Sequence, residues 1–301
     1  MRRLLTGLSV IFLLLLNTLI LIGPLLLIAL GKFVLPGKAL KTASSRGVMW
    51  VAETWAEINK LIFAALLPVR WDIRGSADLR PSTSYLVISN HQSWVDIPAL
   101  VQAFNRKTPY FKFFLKQELI WVPFLGLAFW ALDYPFMKRY SKAFLAKHPH
   151  MQGKDLEITK QACEKFKDLP VTVVNYLEGT RFTPAKQAQQ GSPFQYLLKP
   201  KAGGVAFVLA ALGEQLDTVL DVTLVYPGAR IPGFWALISG QVDKVIVDIQ
   251  TRELDPALWQ GDYENDPNFR QFVQNWVNTL WEDKDARIAQ IRTELSTPTH
   301  G

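Results

Sequence analysis

The sequence predicts an α/β domain behind an N-terminal apolar segment, on three observations. Leu4 to Gly31 runs without a charged residue. From Arg70 onward, short β-branched runs alternate with helical patterns. Two of the β-branched runs end in clusters of polar side chains, Asn90-His91 and Glu178-Gly179-Thr180-Arg181. The expected division is a membrane-anchoring helical region over 1–69, an α/β domain over 70–250 and an amphipathic helical extension over 251–301.

Roughly 20 apolar residues span a bilayer core. The N-terminal run is longer, so it reads as a membrane segment. A secretory signal has a shorter apolar region, and no small-residue cleavage site follows here. Gly23-Pro24 interrupts the run, and either kinks one tilted helix or turns a hairpin. Arg2 and Arg3 precede the run; Lys32, Lys38, Lys41 and Arg46 follow it. The heavier positive charge after the run predicts that the bulk of the chain is cytoplasmic.

The next stretch, residues 45–69, is expected to be helical, with Val48, Val51, Trp55, Ile58, Leu61 and Ile62 at helical spacing. Both a membrane-interface helix and a core helix fit that spacing. From residue 70, "VRWDIRG", "SYLVISN", "PYFKFFLKQEL", "VTVVNYL" and "LDVTLVYPG" each read as strand-bearing, and "VDIPALVQAF" starts a helix. Further helical patterns lie near 154–167 and 202–213, and "FTPAKQAQQGSPFQ" reads as a polar surface loop. Near the C-terminus, Phe269, Phe272, Val273, Trp276, Val277, Leu280 and Trp281 share one helical face, which is expected to pack on the domain, with a membrane-facing role as the lesser alternative.

At 49% hydrophobic and 12% aromatic over 301 residues, the chain has ample apolar material for a core. One cysteine, Cys163, allows no intrachain disulfide and fits a reducing compartment. A net charge of +7 suits an acidic partner: nucleic acid, an anionic membrane surface or a phosphorylated substrate. The basic residues are scattered and no nucleic-acid recognition motif is present, so the membrane segment decides against nucleic acid. No HExxH or cysteine cluster points to a metal.

His91 is one of four histidines; His148, His150 and His300 sit in polar or terminal surroundings. Asp96 follows five residues later. Five positions along a helix are about 140° apart, so the two meet only if His91 sits on the turn before a helix and Asp96 in its first turn. Ser93 as N-cap, with Ser93-Trp94-Val95-Asp96 as an approximate capping box, supports that placement. A histidine held by a carboxylate is a general base in the correct tautomer. The plainer reading also stands: Asp96 caps a helix and His91 is a polar group at a turn. Likewise Glu178 to Arg181 is either a turn with a local ion pair, or an anion site using Thr180, backbone N–H groups and the planar fork of Arg181. Lys138, Arg139, Lys199 and Lys201 are further basic groups after apolar runs, and Lys201 precedes a small-residue helix whose N-terminus favours an anion.

Together these pieces resemble the glycerol-phosphate and lysophosphatidic acid acyltransferase family. "NHQSWVD" matches its His-x4-Asp motif at His91 and Asp96. "FLKQELIWVPFLG…FMKR" is similar to its second block through Lys116, Glu118, Pro123, Gly126 and Arg139. "EGTR" matches the third block, "LLKPKAGGVAF" resembles the region after it through Lys201 and Gly203, and "DVTLVYPG" falls where the fourth is expected. Tyr226 stands before Pro227 where the family has an aliphatic residue, which is more similar to the branch of lysocardiolipin-type acyltransferases and related bacterial inner-membrane proteins.

The resemblance implies a mixed sheet flanked by helices. It also implies direct acyl transfer from acyl-CoA or acyl carrier protein to a lysophospholipid hydroxyl, with 1-acyl-glycerol-3-phosphate as the first candidate. His91 would be the base and Asp96 its orienting partner. Arg181, Arg139, Lys201 and Lys116 would bind the acceptor's phosphate, with Glu178, Gly179 and Thr180 shaping the pocket. No cofactor is implied. Membrane lipids would be partners and the inner membrane, with the catalytic domain facing the cytoplasm, the location. "LIWVPFLGLAFWAL" would line an acyl channel, or be ordinary core. A lipase or thioesterase is the rival enzyme, although no G-x-S-x-G elbow is present. A basic lipid-binding protein without catalysis is the other rival.

Overall fold

The computed structural model describes residues 1–34, 36–75, 78–122, 125–137, 157, 163, 169–228 and 230–296. Two long helices open the chain, α1 (Arg2–Val34) and α2 (Lys38–Leu66). They pack antiparallel, and a buried pair fixes their register: Asn17 Nδ2 donates to Asn59 Oδ1 at 2.7 Å and to the Trp55 carbonyl at 3.0 Å. The chain does not turn at Gly23-Pro24. α1 continues unbroken through them, and the reversal falls between Val34 and Lys38. A proline inside a helix removes one backbone bond; packing along α2 holds the helix together across that gap.

Both ends of α1 touch the rest of the molecule. Arg3 donates to Gln241, and Gly7 lies so close to Trp235 that an added Cβ would sit 2.7 Å from its ring. At the other end Lys32 pairs with Asp133 at 2.6 Å. One stripe of α1, including Val10, Asn17, Leu25 and Ala29, is buried, while Leu5, Phe12, Leu19 and Leu27 on other faces are exposed.

The remainder is a mixed α/β sheet flanked by helices. Its strands are β1 (Arg70–Arg74), β2 (Tyr85–Ser89), β3 (Phe111–Phe113), β6 (Thr172–Tyr176), β7 (Thr218–Val225) and β8 (Lys244–Arg252). Their order is β1-β8-β7-β2-β6-β3, parallel throughout except for β7 against β8. A separate pair, β4 (Leu115–Lys116) and β5 (Phe136–Met137), flanks a 3₁₀ turn and α4 (Leu125–Ala131). A Cβ on Gly126 would lie 2.0 Å from the Ile120 carbonyl oxygen, so this close approach requires glycine.

β2 is buried along its whole length because both sheet faces are covered. Val87 joins a core with α1, α2 and α3 (Asp96–Phe104). Leu86 and Ile88 point the other way, into a core with α6 (Ala202–Leu212) and α8 (Pro267–Ser296).

Several expectations need correction. β8 was not anticipated. The expected loop after Phe182 contains a short helix, α5 (Pro184–Gln190), capped by Thr183 and closed by Gly191. α2 starts seven residues before the predicted helix; of the residues at helical spacing, Val48 and Val51 are buried and Leu61 is exposed. Along α8, Phe272 is exposed, whereas Val273, Val277, Leu280 and Trp281 are buried. The helix expected near 154–167 lies outside the described residues except for Glu157 and Cys163, both helical, with Cys163 buried. α7 (Phe234–Ile238) completes the described helices.

Candidate active site

The parallel register places the site. Ser89 of β2 pairs with Tyr176 of β6, so His91 and Glu178, each two residues past that pair, leave the sheet side by side. This is the carboxyl end of the central strands, where α/β sheets bind ligands. On the other flank, β7 runs parallel to β2, and Asn90 extends the pairing with its side chain. Asn90 Nδ2 donates to the Leu224 carbonyl at 3.0 Å, and Oδ1 accepts the Leu224 N–H at 2.8 Å. Asn90 is fully buried, so these bonds also satisfy a polar group that water does not reach.

His91 Nδ1 lies 2.7 Å from Asp96 Oδ2. A carboxylate only accepts, so in the neutral ring Nδ1 carries the proton and Nε2 the lone pair. The His91 side chain is 18% exposed and that of Asp96 fully buried. The ring therefore remains reachable while its partner is shielded. The same Oδ2 accepts the N–H of Gln92 at 2.7 Å and of Ser93 at 2.9 Å. Tyr226 donates to Oδ1 at 2.5 Å. The expected capping box is half formed. Asp96 reaches back to the Ser93 N–H, but the N-cap of α3 is Val95, and Ser93 Oγ accepts from Val95 N–H instead of capping the helix.

The 178–182 turn grips His91 from the other side. Glu178 Oε1 accepts the His91 N–H at 2.9 Å, and Phe182 N–H donates to the His91 carbonyl at 2.7 Å. Glu178 Oε2 accepts the Leu198 N–H at 3.2 Å. Both oxygens of this buried carboxyl thus serve the backbone. Burial pushes its pKa up to about 7, against the pull of the two N–H donors. The ring of Tyr176 stacks on His91 at 4.1 Å between centroids, which fixes the imidazole plane. Burial also raises the phenols of Tyr176 and Tyr226 well above their ordinary value, with Asp96 adding to it, so both stay protonated.

Cationic groups gather along the same turn. Gly179 adopts φ +65°, and a Cβ there would lie 3.9 Å from Lys201 Nζ, so the turn and Lys201 are neighbours. Arg181 lies over the Trp94 ring, 4.6 Å from its centroid. Lys186 of α5 donates to Thr180 Oγ1 at 2.7 Å and to the Arg181 carbonyl at 3.0 Å. Lys116 is placed by its backbone in β4; its side chain, and all of Arg139, lie outside the described residues. His148, His150 and His300 are likewise outside them.

Asn90, Trp94, Tyr176 and Lys186 were not singled out from sequence as site residues, and Tyr226 was noticed only for its place before Pro227. Polar or aromatic residues at the end of a buried strand were the available signal. Lys186 meets partners five and six positions away, whereas the partners of the others are 85 to 134 positions away and depend on strand register.

Trp94 also walls an apolar cavity of about 440 Å³ with Leu14, Trp55, Phe63, Ile97 and Phe234. Trp55 separates it from a second cavity of about 280 Å³ that includes Leu21, Phe129 and Leu132. The "LIWVPFLGLAFWAL" segment contributes to this second cavity, yet Trp121, Val122, Leu127 and Trp130 are exposed, so much of it is neither core nor lining.

The family model described as Acyltransferase matches residues 70–227. The human 1-acyl-sn-glycerol-3-phosphate acyltransferase gamma is 25% identical over 185 residues, covering 58% of this chain and 44% of that protein. Arabidopsis thaliana 1-acyl-sn-glycerol-3-phosphate acyltransferase 3 is 22% identical over 266 residues, covering 82% of this chain and 62% of that protein. The chain thus spans less than two thirds of either relative. The crystal structure of the 1-acyl-sn-glycerophosphate acyltransferase PlsC from Thermotoga maritima has a similar fold, with a TM-score of 0.52 at 21% identity over 93% of this chain and 98% of that one. The family match takes in more than half of the 301 residues, and with them His91, Asp96, the 178–182 turn and Tyr226; the chain belongs to the acyltransferase family.

Proposed function

We propose that the protein transfers a fatty acyl group from a thioester, acyl-CoA or acyl carrier protein, to the free hydroxyl of a lysophospholipid. The first candidate acceptor is 1-acyl-glycerol-3-phosphate. The observation that carries the reading is the reachable His91 ring whose Nδ1 is held at 2.7 Å by the buried Asp96. His91 Nε2 takes the acceptor's hydroxyl proton as that oxygen attacks the thioester carbon. The new C–O bond forms, the C–S bond breaks, and the thiolate leaves with the proton returned by the imidazolium. A positioned base of this kind contributes a rate gain on the order of 10²–10⁴. The reaction as written uses no cofactor.

Arg181 and Lys201 beside Gly179 supply positive charge for the acceptor's phosphate, with Arg139 and Lys116 as further candidates by resemblance. Thr180 and Glu178 keep the turn in shape. The cavity beside Trp94 offers apolar walls to an acyl chain within reach of the same arginine. The names of the matched relatives support the acceptor class.

Membrane attachment rests on α1 and its neighbours. The helix is apolar over Arg2–Lys32, about 50 Å long, and mostly unburied. Contacts at both its ends, through Arg3, Gly7 and Lys32, favour a helix lying along the membrane surface over one crossing it. Exposed Trp50, Trp121 and Trp235 suit a headgroup layer. The proposed location is the inner, cytoplasmic membrane with the sheet domain on the cytoplasmic side, on the strength of the heavier positive charge after the apolar run.

The test uses membranes containing the wild-type protein or His91→Ala, supplied with lysophosphatidic acid and a long-chain acyl-CoA. Phosphatidic acid and free thiol rising together, only in wild type, support the reading. Equal rates from both proteins remove His91 as the base. Activity only on lysocardiolipin or lysophosphatidylglycerol moves the acceptor to the branch that Tyr226-Pro227 resembles. Free fatty acid released without an acceptor turns the reading to a lipase or thioesterase.

A further inference from the structure

We infer that Tyr226 is a positioning residue for the His91–Asp96 pair, its buried hydroxyl setting how strongly the carboxylate holds the imidazole. The inference rests on the reading of His91 as the base.

Among the described residues the Asp96 carboxylate has four donors. Three come from its own turn: the His91 ring and the N–H groups of Gln92 and Ser93, all on Oδ2. The fourth comes from 130 residues away, where the Tyr226 hydroxyl meets Oδ1 at 2.5 Å. Among the described residues it is the only donor on that oxygen, which is fully buried. Tyr226 itself is 2% exposed, so this bond is not a surface accident. Its placement is built in: Asn90 locks both backbone groups of Leu224, two residues earlier, immediately before His91 in the chain.

A donor on a carboxylate disperses its charge. The more charge Tyr226 draws to Oδ1, the less remains on Oδ2 to hold a proton on the imidazole. The phenol therefore keeps His91 neutral, and able to act as base, at lower pH than Asp96 alone would allow. The other titratable and charged groups around the pair are Glu178 on the His91 N–H, Tyr176 against the ring, Arg181 on the following turn and Lys284 of α8 behind Glu178. All of them persist when only the hydroxyl is removed.

Tyr226→Phe removes it with little change of shape. Using the full chain and the acyl-transfer assay, the acid limb of kcat/KM is expected to move upward by roughly half a pH unit or more. kcat falls several-fold and KM for lysophosphatidic acid stays within about twofold. A fluorinated tyrosine placed at 226 gives a more acidic, stronger donor, and is expected to move the limb downward. The same quantity is read without turnover by nuclear magnetic resonance of ¹³C-histidine-labelled protein, following the His91 titration midpoint. Opposite shifts of that midpoint in the two variants support the inference, which a merely structural phenol would not produce. An unchanged midpoint in both, with folded protein by circular dichroism, overturns it. If the wild type makes no product, the acyl-transfer reading fails, and the titration still decides the role of Tyr226. If Tyr226→Phe does not fold, the fluorinated chain decides alone.

Discussion

Replacing Glu178 with glutamine separates the two effects of this buried carboxyl. Its oxygens accept the N–H groups of His91 and Leu198, and its pKa rises from the ordinary 4.5 to about 7 because the charged form is desolvated. The folded state therefore holds the proton more tightly than the unfolded state. That stability is present below pH 4.5 and is lost as pH rises to about 7. At about 1.4 kcal/mol per unit, the loss between pH 5 and pH 8 is about 2–3 kcal/mol. Glutamine has no proton to release. It keeps one acceptor but turns an NH₂ toward a backbone N–H, a clash of donors costing about 1–3 kcal/mol at any pH. Thermal unfolding of the detergent-solubilised wild type and Glu178→Gln at pH 5 and pH 8 reads the difference. The variant should be the weaker protein at pH 5 and close much or all of the gap at pH 8. A gap of the same size at both pH values would refute the claim that Glu178 is buried as an ionising group.

Four further outcomes are expected. Asp96→Asn leaves a side chain that can no longer accept from His91, Gln92, Ser93 and Tyr226 together, and kcat should fall by about 10³–10⁴; a loss under tenfold speaks against Asp96 orienting the base. Trp94→Ala removes the ring beneath Arg181, and KM for the phosphorylated acceptor should rise several-fold while kcat changes little. Lys284→Ala strips the fully buried ammonium from Asp221 and the Val222 carbonyl, and should cost about 3–5 kcal/mol in denaturant unfolding. Trp121→Ala deletes an indole that is 84% exposed, so unfolding should be unaffected while partition onto anionic vesicles drops about tenfold or more.

The parts legible in the sequence are those whose causes are local. β2, β6 and β7 are β-branched runs between turn residues, and they form where the pattern puts them. The His91–Asp96 bond spans five residues and follows from one turn entering one helix. β8 was missed because polar Asp248, Gln250 and Arg252 interrupt its apolar run. Two of these find partners far along the chain: Asp248 meets Arg287 of α8 at 2.6 Å, and Arg252 meets Asp283 of α8 and Asp221 of β7, each at 2.9 Å. Tyr226 was visible as an oddity of spelling, but its hydroxyl finds Asp96 only once β7 is known to lie beside β2. Glu178 was placed near the site, yet its service to two backbone N–H groups depends on the pairing of β2 with β6, which periodicity does not disclose. The unbroken passage of α1 through Pro24 has the same origin, since packing against α2 outweighs a local helix breaker.

The pairing of Ser89 with Tyr176 has a consequence for how such a chain can change. His91 and Glu178 are 87 positions apart in sequence, but their spacing in the site is two residues counted from each side of one ladder rung. The number of residues between the two strands does not enter that count. Insertions or deletions after α3 and outside the strands leave the spacing of His91, Asp96 and Glu178 untouched, so this stretch is open to remodelling. A single residue added between Ser89 and His91, or between Tyr176 and Glu178, breaks it at once. The freedom to diversify and the intolerance of error are thus partitioned along one chain by which side of a strand end a change falls on.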